Sequence, residues 1–152
     1  MGFLLDTNVL FEIRKRERAN ANLMSWIGAQ TARALFVSAI TLAEIRRGIA
    51  LLARRDQAQA VILRQWIDRV QRDFGRTGRL LPIRAAEAQA WGELQGIRPV
   101  PVLDCFLAAT AQTHRLILVT RNEADFQGLP ISILNPFTMQ PNSGDRDAPL
   151  PS

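Results

Sequence analysis

The apolar residues of this chain fall into short runs separated by longer segments of helical periodicity. Residues 1–5, 34–37 and 116–119 are almost wholly apolar and predict buried strands, because a strand covered on both faces needs no polar alternation. Runs at 80–83 and 131–134 predict two further strands. The first of these contains Pro82, which favours a sheet edge or a strand end.

Between the strands, apolar residues recur at the spacing of amphipathic helices. The predicted helices cover residues 8–18, 21–29, 41–52, 56–76, 85–96 and 103–113. Strands that alternate with helices indicate a three-layer α/β/α fold with a mainly parallel sheet of four to five strands. We expect one domain over residues 1–137. Residues 138–152, rich in Pro, Asn, Gly, Ser and Asp, are expected to form a loose tail.

Composition adds a charge bias to this picture. The 152 residues suffice for one domain with a real core, and 47% hydrophobic with 22% charged residues is a globular balance. The formal net charge is +5, and only one of the 19 basic residues, Lys15, is not arginine. An arginine-rich surface suits a nucleic-acid partner, although a general preference for Arg over Lys would look the same.

Several classes of protein are disfavoured. No apolar run approaches the length of a membrane span, and Asp6 interrupts the first run too early for a signal peptide. A soluble cytoplasmic protein is therefore expected. A single cysteine, Cys105, and a single histidine, His114, argue against an intrachain disulfide and against a Cys- or His-rich zinc site.

Four acidic residues carry the candidate chemistry. Asp6, Glu44 and Asp125 each follow a predicted strand, and Asp104 opens a predicted helix. Each has a structural alternative: N-caps for Asp6 and Asp104, a capping box with Thr41 for Glu44, and a turn residue for Asp125. In an open α/β sheet, however, ligands bind beyond the carboxyl ends of the strands. Four carboxylates gathered there would repel one another unless a cation neutralised them, and oxygen ligands select Mg²⁺ or Mn²⁺.

Four segments resemble the motifs of PIN-domain ribonucleases, and among these most of all the VapC-type toxins of bacterial toxin–antitoxin pairs. They are residues 4–10, 38–48, 104–111 and 119–126, and the resemblance extends over about residues 1–137. It implies a Mg²⁺-dependent endoribonuclease, with Mn²⁺ as an alternative ion. By this resemblance Asp6 and Asp104 are the core metal ligands, while Glu44 and Asp125 bind the metal directly or through water.

The same resemblance implies supporting residues and a mechanism. Thr7, Asn8 and Thr120 would orient the carboxylates, and either Asn122 or Asp125 would face the metal. A metal-activated water would attack in line and leave 5′-phosphate and 3′-hydroxyl ends. Three arginines, Arg46, Arg47 and Arg121, are candidates for contacts with RNA phosphates.

Partners are also implied by the resemblance. A cognate antitoxin would wrap a hydrophobic groove, operator DNA would be contacted only through that antitoxin, and a homodimer is expected. Groove candidates are Leu10, Phe11, Trp26 and Ile27, for which ordinary core packing is the alternative. Competing functions are a non-cleaving RNA- or protein-binding module and a DNA-directed nuclease of the same fold. A phosphatase with Asp6 as nucleophile is disfavoured, because position 8 is Asn rather than a second Asp.

Overall fold

The structure, a computed structural model, describes residues 1–138, so residues 139–152 of the predicted tail lie outside the described residues. Strands and helices alternate along the chain. The strands are β1 (Phe3–Leu5), β2 (Leu35–Ser38), β3 (Leu80–Leu81), β4 (Ile117–Val119) and β5 (Ile133–Leu134). The helices are α1 (Thr7–Ile13), α2 (Ala21–Gly28), α3 (Ala39–Leu52), α4 (Gln57–Arg76), α5 (Ala85–Ile97) and α6 (Val102–His114). No helix in the described part of the chain is long and apolar enough to cross a membrane.

The five strands form one sheet with β1 at its centre, in the order β3-β2-β1-β4-β5. Each of the four neighbouring pairs is parallel. Phe3 is aligned with Leu35 of β2 on one side and with Ile117 of β4 on the other. The carboxyl ends of all strands therefore share one edge, and the predicted fold class is confirmed.

The two faces of the sheet are covered by different helices. Leu4 and Leu118 belong to a core cluster that includes residues of α5 and α6. The next residues along the same strands, Leu5 and Val119, pack on the opposite face with residues of α1 and α2. This alternation is the period-two geometry of a strand, and it produces the predicted three layers.

Two helix boundaries differ from the prediction by two residues or more. Helix α1 ends at Ile13 instead of continuing to residue 18, and Arg16 adopts a left-handed conformation with φ 53°. Helix α3 begins earlier than predicted, because the hydroxyl of Ser38 caps it by accepting the Ile40 N–H at 3.0 Å. Thr41 is therefore not the N-cap, and the predicted capping box with Glu44 is wrong. The carboxylate of Glu44 is therefore available for a role other than capping α3.

Candidate active site

Asp6 lies directly after the central strand β1 and is 5% exposed. Its Oδ1 accepts the Val9 N–H at 2.9 Å, so Asp6 is the N-cap of α1, as its structural alternative predicted. Burial raises the pKa of this carboxyl, and so does the charge of Asp104; hydrogen bonds from Thr120 and Val9 oppose that rise. The same side chain thus caps a helix and is influenced by the charge of a second carboxylate.

Glu44 comes to the site from the first half of α3. Its Oε1 accepts a hydrogen bond from the Thr7 hydroxyl at 3.0 Å, which joins α3 to the first residue of α1. Burial raises the pKa of Glu44, and the charges of Asp104 and Asp6 raise it further, while the Thr7 bond lowers it. Two other predicted site residues therefore contribute to the raised pKa of Glu44.

Asp104 lies in α6, and Asp125 lies in the segment after β4, the strand that neighbours β1 on the side opposite to β2. Asp104 is the third residue of α6, whose N-cap is Pro101, so the predicted N-cap role of Asp104 is wrong. Its pKa is raised by burial and by the charge of Asp125. Asp125 lies in a short 3₁₀ turn, Glu123–Phe126, and is exposed. Neither carboxylate has an established capping task.

The four acids form an open cluster. Asp104 influences both Asp6 and Glu44, and Asp125 influences Asp104. Yet among residues 1–138 no three Asp, Glu, His or Cys side chains lie close enough to enclose a metal ion as they stand. Asp125 is exposed and Glu44 is partly exposed, so both side chains have room to rotate toward a bound ion. The donor set, all carboxylate oxygen, fits a hard divalent cation.

The residues predicted to orient the carboxylates lie around this cluster. Thr120 is fully buried at the end of β4, and its hydroxyl accepts the Asn122 N–H at 3.0 Å. Asn8 acts on Asp6 through its backbone N–H, whereas the Asn8 and Asn122 side chains are exposed. The sequence indicated Thr41 only as a helix cap, whereas in the structure it is fully buried and its hydroxyl oxygen lies 3.4 Å from that of Thr7.

The candidate phosphate-binding arginines have different surroundings. The Arg46 guanidinium donates to Asp68 at 2.8 Å and also contacts Gln71, so it joins α3 to α4. Arg47 is exposed. Arg121 lies over the Phe137 ring with 4.8 Å between the guanidinium carbon and the ring centroid. Arg47 and Arg121 are therefore better placed than Arg46 to meet an external phosphate.

A groove of about 420 Å³ lies between α1, α2 and α4. Its walls are mostly apolar, with arginines along them: Leu5, Leu10, Ile13, Arg14, Arg16, Met24, Ile27, Leu35, Trp66, Arg69, Val70, Asp73 and Phe74. Of the predicted groove residues, Leu10 and Ile27 line it. Phe11 instead meets Trp66 edge to face, and Trp26 meets Phe3 in the same way, as core packing requires.

The sequence matches the PIN domain over residues 3–130, and the chain belongs to the PIN-domain family. It is 33% identical over 141 residues to the plasmid stability protein StbB of Pseudomonas syringae pv. tomato, covering 88% of this chain and 97% of the relative. It is 30% identical over 142 residues to the VapC ribonuclease Y4jK of Sinorhizobium fredii, covering 88% and 96%.

Solved structures give the same assignment. FitAcB from Neisseria gonorrhoeae superposes with a TM-score of 0.75 at 26% identity, over 90% of this chain and 99% of that chain. Structures with this fold also include a toxin–antitoxin complex from Klebsiella pneumoniae, at a TM-score of 0.60 and 26% identity over 89% and 98% of the two chains. The resemblance seen in the sequence motifs is thereby confirmed at the level of family and fold.

Proposed function

We propose that this protein is a Mg²⁺-dependent endoribonuclease and the toxin of a toxin–antitoxin pair. The observation that carries the proposal is the position of four acids at the carboxyl edge of the sheet, where the charge of Asp104 raises the pKa of Asp6 and Glu44 and the charge of Asp125 raises the pKa of Asp104. Carboxylates held this close together repel one another, and a divalent cation would stabilise them. The family match and the relative called a VapC ribonuclease support the same chemistry.

Each side chain has a role in this proposal. Asp6 and Asp104 would hold the ion, with Glu44 and Asp125 binding directly or through water. Mg²⁺ or Mn²⁺ would supply a water of lowered pKa and offset the charge that develops on the phosphate. The Thr7 hydroxyl keeps the Glu44 carboxylate turned toward the cluster through its 3.0 Å hydrogen bond. Exposed Arg47 and Arg121 are the candidates for contacts with RNA phosphates.

The partners follow from the groove and from the relatives. A cognate antitoxin would lay an apolar segment into the groove between α1, α2 and α4, and operator DNA would be bound through that antitoxin. The Klebsiella pneumoniae structure is itself a toxin–antitoxin complex, which supports an antitoxin partner. A homodimer is the proposed assembly. Growth arrest on expression of the chain alone, relieved by co-expression of the antitoxin, is the expected cellular result.

The direct test is cleavage of RNA by purified protein in Mg²⁺, followed by sequencing of the new ends. We expect 5′-phosphate and 3′-hydroxyl ends, and no cleavage in EDTA. Asp6→Asn and Asp104→Asn should abolish cleavage without unfolding the protein, since an Asn amide oxygen can still accept the Val9 N–H that caps α1. Glu93→Gln, at an exposed acid of α5, is the matched control and should cleave normally.

Three results would contradict the proposal. Cleavage that survives in both aspartate variants, or in EDTA, would refute the metal site. Cleavage of single- or double-stranded DNA with RNA left intact would replace the ribonuclease by a DNA-directed nuclease of the same fold. A protein that binds RNA and cuts neither substrate would support the non-cleaving module.

A further inference from the structure

Arg98, the residue that ends α5, uses its side chain to hold backbone carbonyl groups. Its Nε donates to the Gln127 carbonyl at 2.7 Å, and its Nη2 donates to the Asp125 carbonyl at 2.7 Å. Its Nη1 donates to the carbonyl of Pro99 at 3.3 Å. The planar guanidinium thus spans two chain segments that are 27 or more residues apart in sequence.

The first of these segments is the 3₁₀ turn that carries Asp125. Short 3₁₀ turns leave carbonyl groups without partners at their C-terminal end. Here the Ala124 and Phe126 carbonyls accept backbone amides at 3.3 and 3.2 Å. The carbonyl that follows each of these, that of Asp125 and that of Gln127, accepts from Arg98 instead. Arg98 therefore completes the hydrogen bonding of the turn that presents Asp125.

The second segment is the connection that leads into α6 and to Asp104. Residues 98–101 join α5 to α6, and Gln95 holds both backbone polar groups of Val100, at 2.8 and 3.1 Å. Pro101 then caps α6, and Asp104 follows three residues later. Because Gln95 fixes this connection to α5, the Arg98 side chain starts from a well-defined point. The Arg98 side chain therefore links the connection that precedes Asp104 to the 3₁₀ turn that contains Asp125.

We propose that Arg98 is a positioning residue that fixes Asp125 relative to Asp104 and so sets the metal affinity of the acidic cluster. The inference rests on the function proposed above. The two carboxylates repel each other, so their separation needs a restraint from outside the pair. The turn itself is exposed at Asp125 and too short to provide that restraint. Arg98 neither touches a carboxylate in these contacts nor takes part in the chemistry; it acts through the backbone.

The test compares Arg98→Ala with Arg79→Ala. Arg79 makes the same kind of contact far from the acids, donating to the Ala32 and Leu35 carbonyls at 2.7 and 2.9 Å near the start of β2. Both variants lose a carbonyl-binding guanidinium, so a general loss of stability should appear in both. Mn²⁺ binding by calorimetry and amide exchange of residues 122–129 are measured in the full-length proteins.

In Arg98→Ala we expect Mn²⁺ affinity to fall by about tenfold, the usual effect of removing a group that supports metal ligands. Exchange of the 122–129 amides should rise by about tenfold, as expected when charge-assisted hydrogen bonds are lost. Arg79→Ala should keep both values within about twofold of the original protein. Equal Mn²⁺ affinities in the two variants, or unchanged exchange of 122–129 in Arg98→Ala, would overturn the role of Arg98. An original protein that binds no Mn²⁺ would instead refute the proposed metal site, and the exchange result would still report on Arg98.

Discussion

The hydrogen bond from Thr7 to Glu44 offers the sharpest test of the acidic cluster. Thr7→Val keeps the shape of the side chain and removes the only donor that the structure places on Glu44 among its described side-chain contacts. Thr7→Ser keeps the hydroxyl and removes a methyl group. The two substitutions therefore separate the hydrogen bond from packing at one position.

The expected loss in Thr7→Val follows from the kind of bond. Hydrogen bonds to charged groups contribute about 1.5–3 kcal/mol, and partial exposure of both side chains places this one near the lower limit. We expect the free energy of unfolding of metal-free protein at pH 7 to fall by about 1–2 kcal/mol. Thr7→Ser should lose less than about 0.8 kcal/mol, the value of one fully buried methylene.

The loss should also depend on pH. The Thr7 bond favours ionised Glu44, and burial with neighbouring charge already holds the pKa of Glu44 above its usual value. The stability that this bond adds is therefore present at neutral pH and declines as the pH falls through the raised pKa of folded Glu44. Removing the donor raises that pKa further, so Mg²⁺-dependent cleavage should begin at a higher pH in Thr7→Val.

Urea unfolding in EDTA, repeated from pH 7 down to pH 4, measures the change in stability. The pH profile of RNA cleavage measures the change in function. Equal losses in Thr7→Val and Thr7→Ser at pH 7 would show that packing dominates. A Thr7→Val loss that stayed constant across the pH range would refute the assignment of the bond to ionised Glu44.

Four further substitutions test the fold. Ile67→Ala, at a fully buried residue, should cost about 2–5 kcal/mol in urea unfolding, whereas Ile62→Ala, at a residue that is 55% exposed, should cost under about 0.5 kcal/mol. Burial opposes ionisation of Glu87, but hydrogen bonds, including that from His114 at 2.7 Å, hold its pKa below the usual value. Glu87→Gln should therefore lose stability at neutral pH, and the loss should vanish as acid protonates Glu87; an unchanged loss at low pH would contradict this. Arg115 has φ 54°, a left-handed conformation that strains any residue other than glycine. Arg115→Gly should therefore increase the free energy of unfolding by about 0.5–1 kcal/mol and raise the melting temperature. A lower melting temperature in this variant would count against strain at Arg115.

Strands and helices could be predicted because their signals are local. Leu4, Val37 and Leu118 lie in apolar runs and are fully buried in the sheet. The end of α1 could not be predicted, because the helical pattern continues past the left-handed Arg16. Boundaries of this kind depend on backbone geometry that many residue types can adopt at a modest cost.

The acidic residues of the site could be found because each lies near a predicted strand end or helix start. The contacts that surround these acidic residues could not be predicted from the sequence. The contact between Thr7 and Glu44 spans 37 residues and depends on how α1 packs against α3. The contacts of Arg98 could not be predicted from the sequence pattern either, because its partners are backbone carbonyls, which every residue type carries.

The central position of β1 has a consequence for the order in which the protein can assemble during translation. This strand leaves the ribosome before the other four, yet one of its two neighbours, β4, is built from Ile117–Val119. More than a hundred residues must be synthesised before that partner exists, so the sheet cannot close on a growing chain. A nascent polypeptide that stops short of β4 would lack one neighbour of β1 and the turn that carries Asp125, so the molecule completes its acidic edge only late in its own synthesis.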